Sequence, residues 1–245
     1  MSTYVLVHGG WHGAWCWKKL TPLLESSGHR VFTPTLTGLG ERANLLSPDV
    51  GLNTHIADVS GLIESERLSD VVLVGHSYGG MVITGVADRT PGRIGHLVYL
   101  DTFIPRDGDS MQSVAPVVVG FFQVEARVLG DGWRVDPPAR EDFGVTQEPD
   151  LSWVKRSVTA QSLKTFVERL HLTDAEIVSR FPRTHIYCAG RGRFVSLVQQ
   201  AFMPRMLPPR EPGWRLRTLR TGHDCMITDP QELADVLLEI ASPIR

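Results

Sequence analysis

The segment Val71–Gly80, which reads VVLVGHSYGG, constrains the fold of this chain more than any other. Its apolar residues stand on successive positions, which is typical of a strand buried on both faces of a parallel sheet. The residues Gly75-His76-Ser77-Tyr78-Gly79 follow at once and match Gly-x-Ser-x-Gly, and the helical pattern Met81–Asp88 comes next. A strand-to-helix turn this sharp strains its central residue. It therefore projects the Ser77 hydroxyl above the sheet, at the N-terminus of the helix.

Short apolar runs rich in β-branched residues alternate with helical patterns along the rest of the chain. The predicted strands are Tyr4–Val7, Val31–Thr33, Val71–Val74, Leu97–Leu100, His185–Cys188 and Trp214–Leu219. The further predicted helices are Ala14–Glu25, Thr54–Ile63 and Pro230–Ile240. This alternation predicts an α/β fold, with a mostly parallel central sheet flanked by helices and right-handed crossovers.

The alternation breaks between about residues 105 and 181. Glu125–Leu129 and Trp133–Val135 flank Gly130-Asp131-Gly132, which predicts a small hairpin. Leu151–Leu170 predicts one or two amphipathic helices. The sequence therefore predicts a single domain over residues 1–245, with an inserted cap at about 105–181, a size that one domain can reach.

Charge and cysteine usage limit the classes of partner. The net charge is −2, so no basic excess is available to neutralise phosphates, and we do not expect a dedicated nucleic-acid binder. Three cysteines argue against a disulfide framework and for a reducing compartment. The start MSTYVLVHGG has neither a basic region nor a long apolar run, so no signal peptide or membrane span is expected. We expect a cytoplasmic protein with a small-molecule substrate and no membrane partner; a homodimer is left open.

A serine nucleophile needs a general base and a site that binds an oxyanion. His8-Gly9-Gly10 directly follows the first strand, so the Gly10 N–H is expected to face the reacting carbonyl. The N–H of Tyr78, the residue after the serine, is the second expected donor. The base should follow the serine in the chain, on a loop beyond the last strand, and His223 meets both conditions.

Two other patterns are typical of binding sites, but we expect neither site to form. Gly38–Ala43 matches Gly-x-Gly-x-x-Ala after a strand, as in dinucleotide sites, but Pro48 and Gly51 interrupt any helix that would follow. We interpret it as a flexible loop bordering the active site. His8 and His12 stand four residues apart on a loop, not on a helix face, which argues against a metal pair. We therefore expect no cofactor and no metal.

The segments quoted above resemble an α/β-hydrolase-fold protein, and in particular the group of plant methylesterases, hydroxynitrile lyases and bacterial pyrethroid-hydrolase-like esterases. The resemblance spans nearly the whole chain, and is carried by Tyr4–Trp17 (YVLVHGGWHGAWCW), Val74–Gly80 (VGHSYGG), Leu100–Pro105 and Gly222-His223. It implies Ser77 as nucleophile, His223 as base, and Gly10 and Tyr78 as oxyanion donors. The fold hosts many chemistries, so the substrate does not follow from it.

Two departures from this family bear on the reaction. The lyases carry a threonine and a lysine where this chain has Gly9 and Asp224, so no positive charge is placed to hold cyanide, and ester hydrolysis is favoured. The methylesterases carry an aspartate just after the strand that corresponds to His185–Cys188. Here the residues that follow, up to Arg193, include no carboxylate.

We therefore predict Asp101 as the acid of the triad. It ends the Leu97–Leu100 strand and should emerge at the same sheet edge as Ser77, where it could orient the Nδ1 of His223. Haloalkane dehalogenases and some lipases of this fold are similar. Asp70 begins its strand at the opposite edge, Asp224 is expected to point along its loop, and Asp107 and Asp109 are weaker candidates. The alternative is a Ser–His dyad in which Asp101 only caps the strand.

These residues predict a serine esterase that cleaves a small, largely apolar carboxylic ester through an acyl-Ser77 intermediate. The apolar side chains of the insertion support the substrate class. They are Val117, Val118, Val119, Phe121, Phe122, Trp153 and Phe166. One alternative is a lyase or cyclase that uses the same Ser/His pocket for proton transfer without an acyl intermediate. The other is a small-molecule binding protein on a hydrolase scaffold.

Overall fold

A computed structural model describes residues 1–138, 143–190 and 212–241. Within these ranges the central sheet has six strands, in the order β2-β1-β3-β4-β7-β8, and every pair is parallel. The strands are β1 (Thr3–Val7), β2 (Arg30–Phe32), β3 (Val71–His76), β4 (Ile94–Leu100), β7 (Arg183–Cys188) and β8 (Trp214–Leu219). All six predicted strands are present, and the prediction of a mostly parallel α/β sheet is confirmed.

Helices connect these strands. The α-helices are α1 (Thr21–Ser26), α2 (Leu52–Ser65), α3 (Gly79–Arg89), α4 (Met111–Val114), α5 (Pro116–Leu129), α6 (Asp150–Ser157), α7 (Lys164–Val167), α8 (Cys225–Thr228) and α9 (Pro230–Ala241). The predicted helix Ala14–Glu25 is instead a 3₁₀ turn, Ala14–Trp17, followed by α1. Pro22 accounts for the separate start of α1, because a proline has no N–H to donate within a continuous helix but fits the first turn.

The centre of the sheet positions the site. Every residue of β3 is buried, as its unbroken apolar run predicts. In the register of the sheet Val7 lies beside Gly75, and His76 lies beside Leu100. Because the strands are parallel, β1, β3 and β4 end together at one edge, and the loops that follow them meet there.

The segment between β4 and β7 contains α4 to α7 and a small antiparallel sheet of β5 (Arg134–Val135) and β6 (Gln161–Ser162). The predicted hairpin around Gly130-Asp131-Gly132 is wrong, because residues 125–129 belong to α5 and β5 pairs with β6. The apolar run that begins after Pro116 continues with helical geometry to Leu129, and the glycines end this helix. The helices predicted within Leu151–Leu170 are α6 and α7, with the unpredicted β6 between them.

The Gly38–Ala43 pattern also differs from its prediction. A 3₁₀ helix, Gly40–Leu45, opens there, with a kink at Arg42. Asp58, which a dinucleotide site would use for a ribose, instead accepts the Thr37 N–H at 2.7 Å and contacts Arg42 at 3.2 Å. These contacts fix the segment against α2, so its acidic residue has a structural partner. In the described part of the chain, no helix combines the length and apolarity that crossing a membrane requires.

Candidate active site

Ser77 stands at the turn between β3 and α3 with a φ of +52°, a conformation that non-glycine residues rarely adopt. Close backbone packing explains the small residues beside it: a Cβ on Gly75 would lie 2.5 Å from the Gly79 carbonyl oxygen, and one on Gly79 would lie 2.8 Å from that of Val7. The Thr102 hydroxyl donates to the Ser77 carbonyl at 2.6 Å. The strained turn is therefore held by its neighbours, as a projecting serine requires.

The loop after β1 lies directly against this turn. A Cβ on Gly9 would lie 2.9 Å from His76 Nδ1 and 3.0 Å from the Ser77 Cβ, so only glycine allows the approach. Within the described residues, the N–H groups of Gly10 and Tyr78 donate to no other group. The role of these two groups as oxyanion donors stays a prediction.

His223 and Asp101 are in direct contact. His223 Nδ1 lies 2.5 Å from Asp101 Oδ2. Asp101 is fully buried and follows β4 with a φ of +47°. Its other oxygen accepts the Cys188 N–H at 3.1 Å. The end of β4 and the end of β7 therefore both orient this carboxylate toward the histidine.

A second contact places the His223 loop beside the turn that carries Ser77. His76 Nε2 lies 3.0 Å from the His223 carbonyl oxygen, and the two imidazole rings are 4.5 Å apart. A carbonyl only accepts, so His76 Nε2 carries the proton. The structure thus brings the predicted base to the residue next to Ser77.

The other carboxylates considered as the acid are engaged elsewhere. Asp107 accepts the Leu172 N–H and Asp109 accepts the Arg106 N–H, both within the segment between β4 and β7. The expectation that Asp224 points along its loop is wrong, because its buried side chain lies 2.9 Å from His12 Nε2. Asp70 precedes β3, at the opposite edge of the sheet. The residues Arg191 to Arg193, where the resemblance to the methylesterases places an acid, lie outside the described residues.

Asp224 forms a buried pair with His12 that the sequence analysis did not predict. His12 Nε2 lies 2.9 Å from Asp224 Oδ2, and His12 is 1% exposed. Burial acts to lower the pKa of His12, but the adjacent Asp224 carboxylate and two hydrogen bonds raise it overall. Burial likewise acts to raise the pKa of Asp224, and His12 lowers it. One signal was available: Asp224 precedes the apolar run Cys225–Ile227, so it should be buried and need a partner.

Other histidines around the site are neutral. Burial lowers the pKa of His8 to about 3 and that of His55 to about 4. His55 Nε2 lies 2.9 Å from the Thr37 carbonyl oxygen, and its Nδ1 lies 2.9 Å from the Tyr78 hydroxyl. Because the carbonyl only accepts, the Tyr78 hydroxyl donates to Nδ1. This anchors the residue that carries the second candidate oxyanion donor.

His76, His223 and Asp224 could in principle hold a metal ion, since their candidate ligand atoms lie within 4.8 Å of one another. However, His76 Nε2 donates its proton to a carbonyl, and His223 Nδ1 faces the Asp101 carboxylate. Ligation through either nitrogen would displace a hydrogen bond that orients the candidate base.

Aromatic rings cluster around Trp11, the residue after Gly10. The Trp11 ring centroid lies 5.3 Å from that of Phe122 and 5.2 Å from that of Phe166, and Phe166 is 5.9 Å from Tyr78. Phe143 also contacts Trp11, at 6.3 Å. Of the side chains predicted for an apolar cleft, Phe122 and Phe166 join this cluster.

The other side chains predicted for the cleft differ in exposure, and Val118 is half-buried. Val119 is fully buried, whereas Val117 and Phe121 are 47% and 71% exposed. Trp153 packs edge-on against Trp15.

Residues 4–236 match the model of the alpha/beta hydrolase family. A carbendazim hydrolyzing esterase from Nocardioides sp. (strain SG-4G) is 41% identical, over 97% of this chain and 98% of the relative. Methylesterase 9 from Arabidopsis thaliana is 30% identical, over 98% of each chain. These relatives share both the length and the family of the present chain.

Two solved structures have the same fold. An extracellular alpha/beta-hydrolase from a Paenibacillus species superposes with a TM-score of 0.80 at 23% identity, over 98% of each chain. The polyneuridine aldehyde esterase structure superposes with a TM-score of 0.74 at 22% identity, over 99% of this chain and 100% of the other. At these identities the likeness concerns the fold alone.

Proposed function

This chain belongs to the alpha/beta hydrolase family and is a carboxylic ester hydrolase, and on that premise we propose that it cleaves small, largely apolar esters through an acyl intermediate on Ser77. The observation that carries the mechanism is the 2.5 Å contact between His223 Nδ1 and Asp101 Oδ2. A carboxylate only accepts, so Nδ1 bears a proton and the neutral ring keeps Nε2 as the acceptor.

In the first half-reaction, Ser77 Oγ attacks the ester carbonyl while His223 Nε2 takes the hydroxyl proton. Asp101 holds the imidazolium that forms. The C–O bond to the leaving alcohol then breaks, and His223 returns the proton to that oxygen. In the second half-reaction water attacks the acyl-Ser77 ester, His223 again transfers the proton, and the carboxylic acid leaves.

The N–H groups of Gly10 and Tyr78 bind the oxyanion that develops in each half-reaction. Their availability beside the strained serine supports this role. One such donor typically lowers the barrier by about 3–4 kcal/mol. Water could not supply donors fixed in advance in this way, so the loop after β1 contributes to the rate and not only to binding.

The aromatic cluster of Trp11, Phe122, Phe143 and Phe166 supports a neutral, apolar substrate. Rings of this kind offer large apolar contact area and no charge to pair with an ionised acyl group. The named activity of the Nocardioides relative, hydrolysis of carbendazim, and the name methylesterase of the Arabidopsis relatives are consistent with a small ester-like substrate for this chain as well.

The proposal is tested by exposing the protein to a fluorophosphonate and locating the adduct by mass spectrometry. We expect one adduct on the peptide that contains Ser77, and none in Ser77→Ala. A panel of esters varied separately in the acyl and alcohol parts should then show faster turnover for neutral groups than for charged ones.

Two results would contradict the proposed function. An adduct on another serine would refute the assignment of the nucleophile. Turnover without an acyl-enzyme, in a quench experiment that traps the Ser77 ester, would favour the lyase or cyclase alternative.

A further inference from the structure

The peptide that joins Gly10 to Trp11 is held from both sides by buried side chains. Its carbonyl lies 2.6 Å from His12 Nδ1, and its N–H donates to Gln161 Oε1 at 2.7 Å. The Gln161 amide is itself fixed, because its Nε2 donates to Thr165 Oγ1 at 2.7 Å. Trp11 has a φ of +61°, which non-glycine residues rarely adopt. Side-chain contacts, and not regular secondary structure, therefore set the plane of this peptide.

The other ring nitrogen of His12 lies 2.9 Å from Asp224 Oδ2. A carbonyl and a carboxylate both only accept, so each nitrogen of His12 carries a proton and the ring is an imidazolium. Both partners are buried, at 1% and 0% exposure, so neither is well solvated by water. The raised pKa of His12 and the lowered pKa of Asp224 agree with a charged pair.

We propose that His12 is a positioning residue, which clamps the Gly10 carbonyl to Asp224 and so restricts rotation of the backbone at Gly10. The Gly10 N–H, the candidate oxyanion donor, belongs to the preceding peptide, whose Gly9 carbonyl lies 2.8 Å from His8 Nδ1, and the two peptides share the Gly10 Cα. This inference rests on the proposed function. Asp224 directly follows His223, so the same contact joins the loop that holds the oxyanion donor to the loop that holds the base. A misoriented donor weakens binding of the transition state more than binding of the ester, so the effect falls on kcat.

The surroundings of His12 preserve its charge. The titratable groups that face the pair are His8 and His76 around His12, and Cys16, His76, Cys188 and His223 around Asp224. Burial lowers the pKa of both His8 and His76, so these rings are neutral and do not compete for the carboxylate. Trp15 stacks on His12 at 5.1 Å with an interplanar angle of 17°, a geometry that suits a cation on an aromatic face.

The decisive variant is His12→Phe, which keeps an aromatic ring against Trp15 but removes both N–H groups. Its kcat and KM are measured with an oxygen ester and with the matching thionoester, whose sulfur accepts hydrogen bonds weakly. Loss of a whole oxyanion donor costs ~10²–10³ in kcat, so a misoriented one should cost roughly 10–100-fold. We expect an unchanged KM. The ratio of kcat for the oxygen ester to kcat for the thionoester should fall by about the same factor.

The matched control is His96→Phe. His96 is also a buried histidine, 7% exposed and bonded to Thr184 Oγ1, but it lies near the amino end of β4, away from the site. It should leave the oxygen-ester to thionoester ratio at the wild-type value. An unchanged ratio in His12→Phe as well would overturn the inference, even if kcat fell.

Two further measurements keep the inference testable if His12→Phe does not fold. In Asp224→Asn the charged partner is lost, so burial should lower the pKa of His12; the oxygen-ester to thionoester ratio should fall, and fall further as pH rises. In the wild type, ¹⁵N NMR should show both nitrogens of His12 protonated at neutral pH, and a neutral ring would refute the clamp. Failure of the proposed function is separate, because it would appear as turnover retained by Ser77→Ala.

Discussion

Replacing Asp101 by asparagine tests the orientation of His223 with little change in shape. The Cys188 N–H, 3.1 Å from one carboxylate oxygen, should hold the amide oxygen of the new residue. The amide NH₂ then takes the position of the oxygen that lies 2.5 Å from His223 Nδ1. Two N–H groups cannot face each other, so His223 must move its proton from Nδ1 to Nε2. A protonated Nε2 cannot accept the Ser77 proton.

The cost follows from this change of tautomer. The same change in a serine protease lowers kcat by ~10⁴, which corresponds to about 5.5 kcal/mol in the barrier. We expect a loss of that order here, with KM changed by less than about threefold because Asp101 does not touch the ester. Steady-state kinetics near pH 7 on a neutral ester measure both constants, and thermal unfolding checks that the variant is folded.

The control for this experiment is Asp107→Asn. Asp107 is an exposed carboxylate that accepts the Leu172 N–H, so the variant should keep wild-type kinetics. If Asp101→Asn retained a tenth or more of the wild-type kcat, the triad would be refuted and a Ser–His dyad would take its place.

Three further predictions concern the same site. Ser77→Ala should lower kcat by ~10⁶ while a competitive ligand still binds; appreciable residual turnover would exclude the covalent route. Gly9→Ala should lower kcat at least tenfold, because its Cβ would press on Ser77 at 3.0 Å, whereas Gly61→Ala, with no atom within 4 Å, should keep kcat and raise stability to urea by up to ~1 kcal/mol. Because folding raises the pKa of His12, protonated His12 stabilises the fold, and this stabilisation is lost as pH rises through the raised pKa. Because folding lowers the pKa of Asp224, ionised Asp224 also stabilises the fold, and this stabilisation is lost as pH falls through the lowered pKa. The free energy of unfolding, measured by chemical denaturation across pH, should therefore be constant between the pKa of Asp224 and the pKa of His12. An Asp224→Asn protein with the same pH profile would contradict the pairing.

The strands and the turn at Ser77 could be predicted because each depends on a short stretch of sequence. An unbroken apolar run such as β3 specifies a buried parallel strand, and the tight contacts of Gly75 and Gly79 require the motif itself. The insertion was harder, since β5 and β6 are two-residue strands paired across more than twenty residues of chain. No periodicity in either strand specifies that partner.

The residues of the candidate site also fall into those that the sequence predicts and those that it does not. Ser77, His223 and Asp101 each follow a strand or a motif, so topology alone places them at one edge. The His12–Asp224 pair and the Gln161 contact with Trp11 join residues that are 212 and 150 positions apart. Such contacts depend on the packing of loops, which a single sequence does not specify.

The position of Asp101 on β4 also bears on how this enzyme can diversify. The end of β7 supplies only a main-chain N–H to the carboxylate, from Cys188. Any residue except proline offers that group, so, with Asp101 as the proposed acid, residues after β7 can change without removing the carboxylate that faces His223.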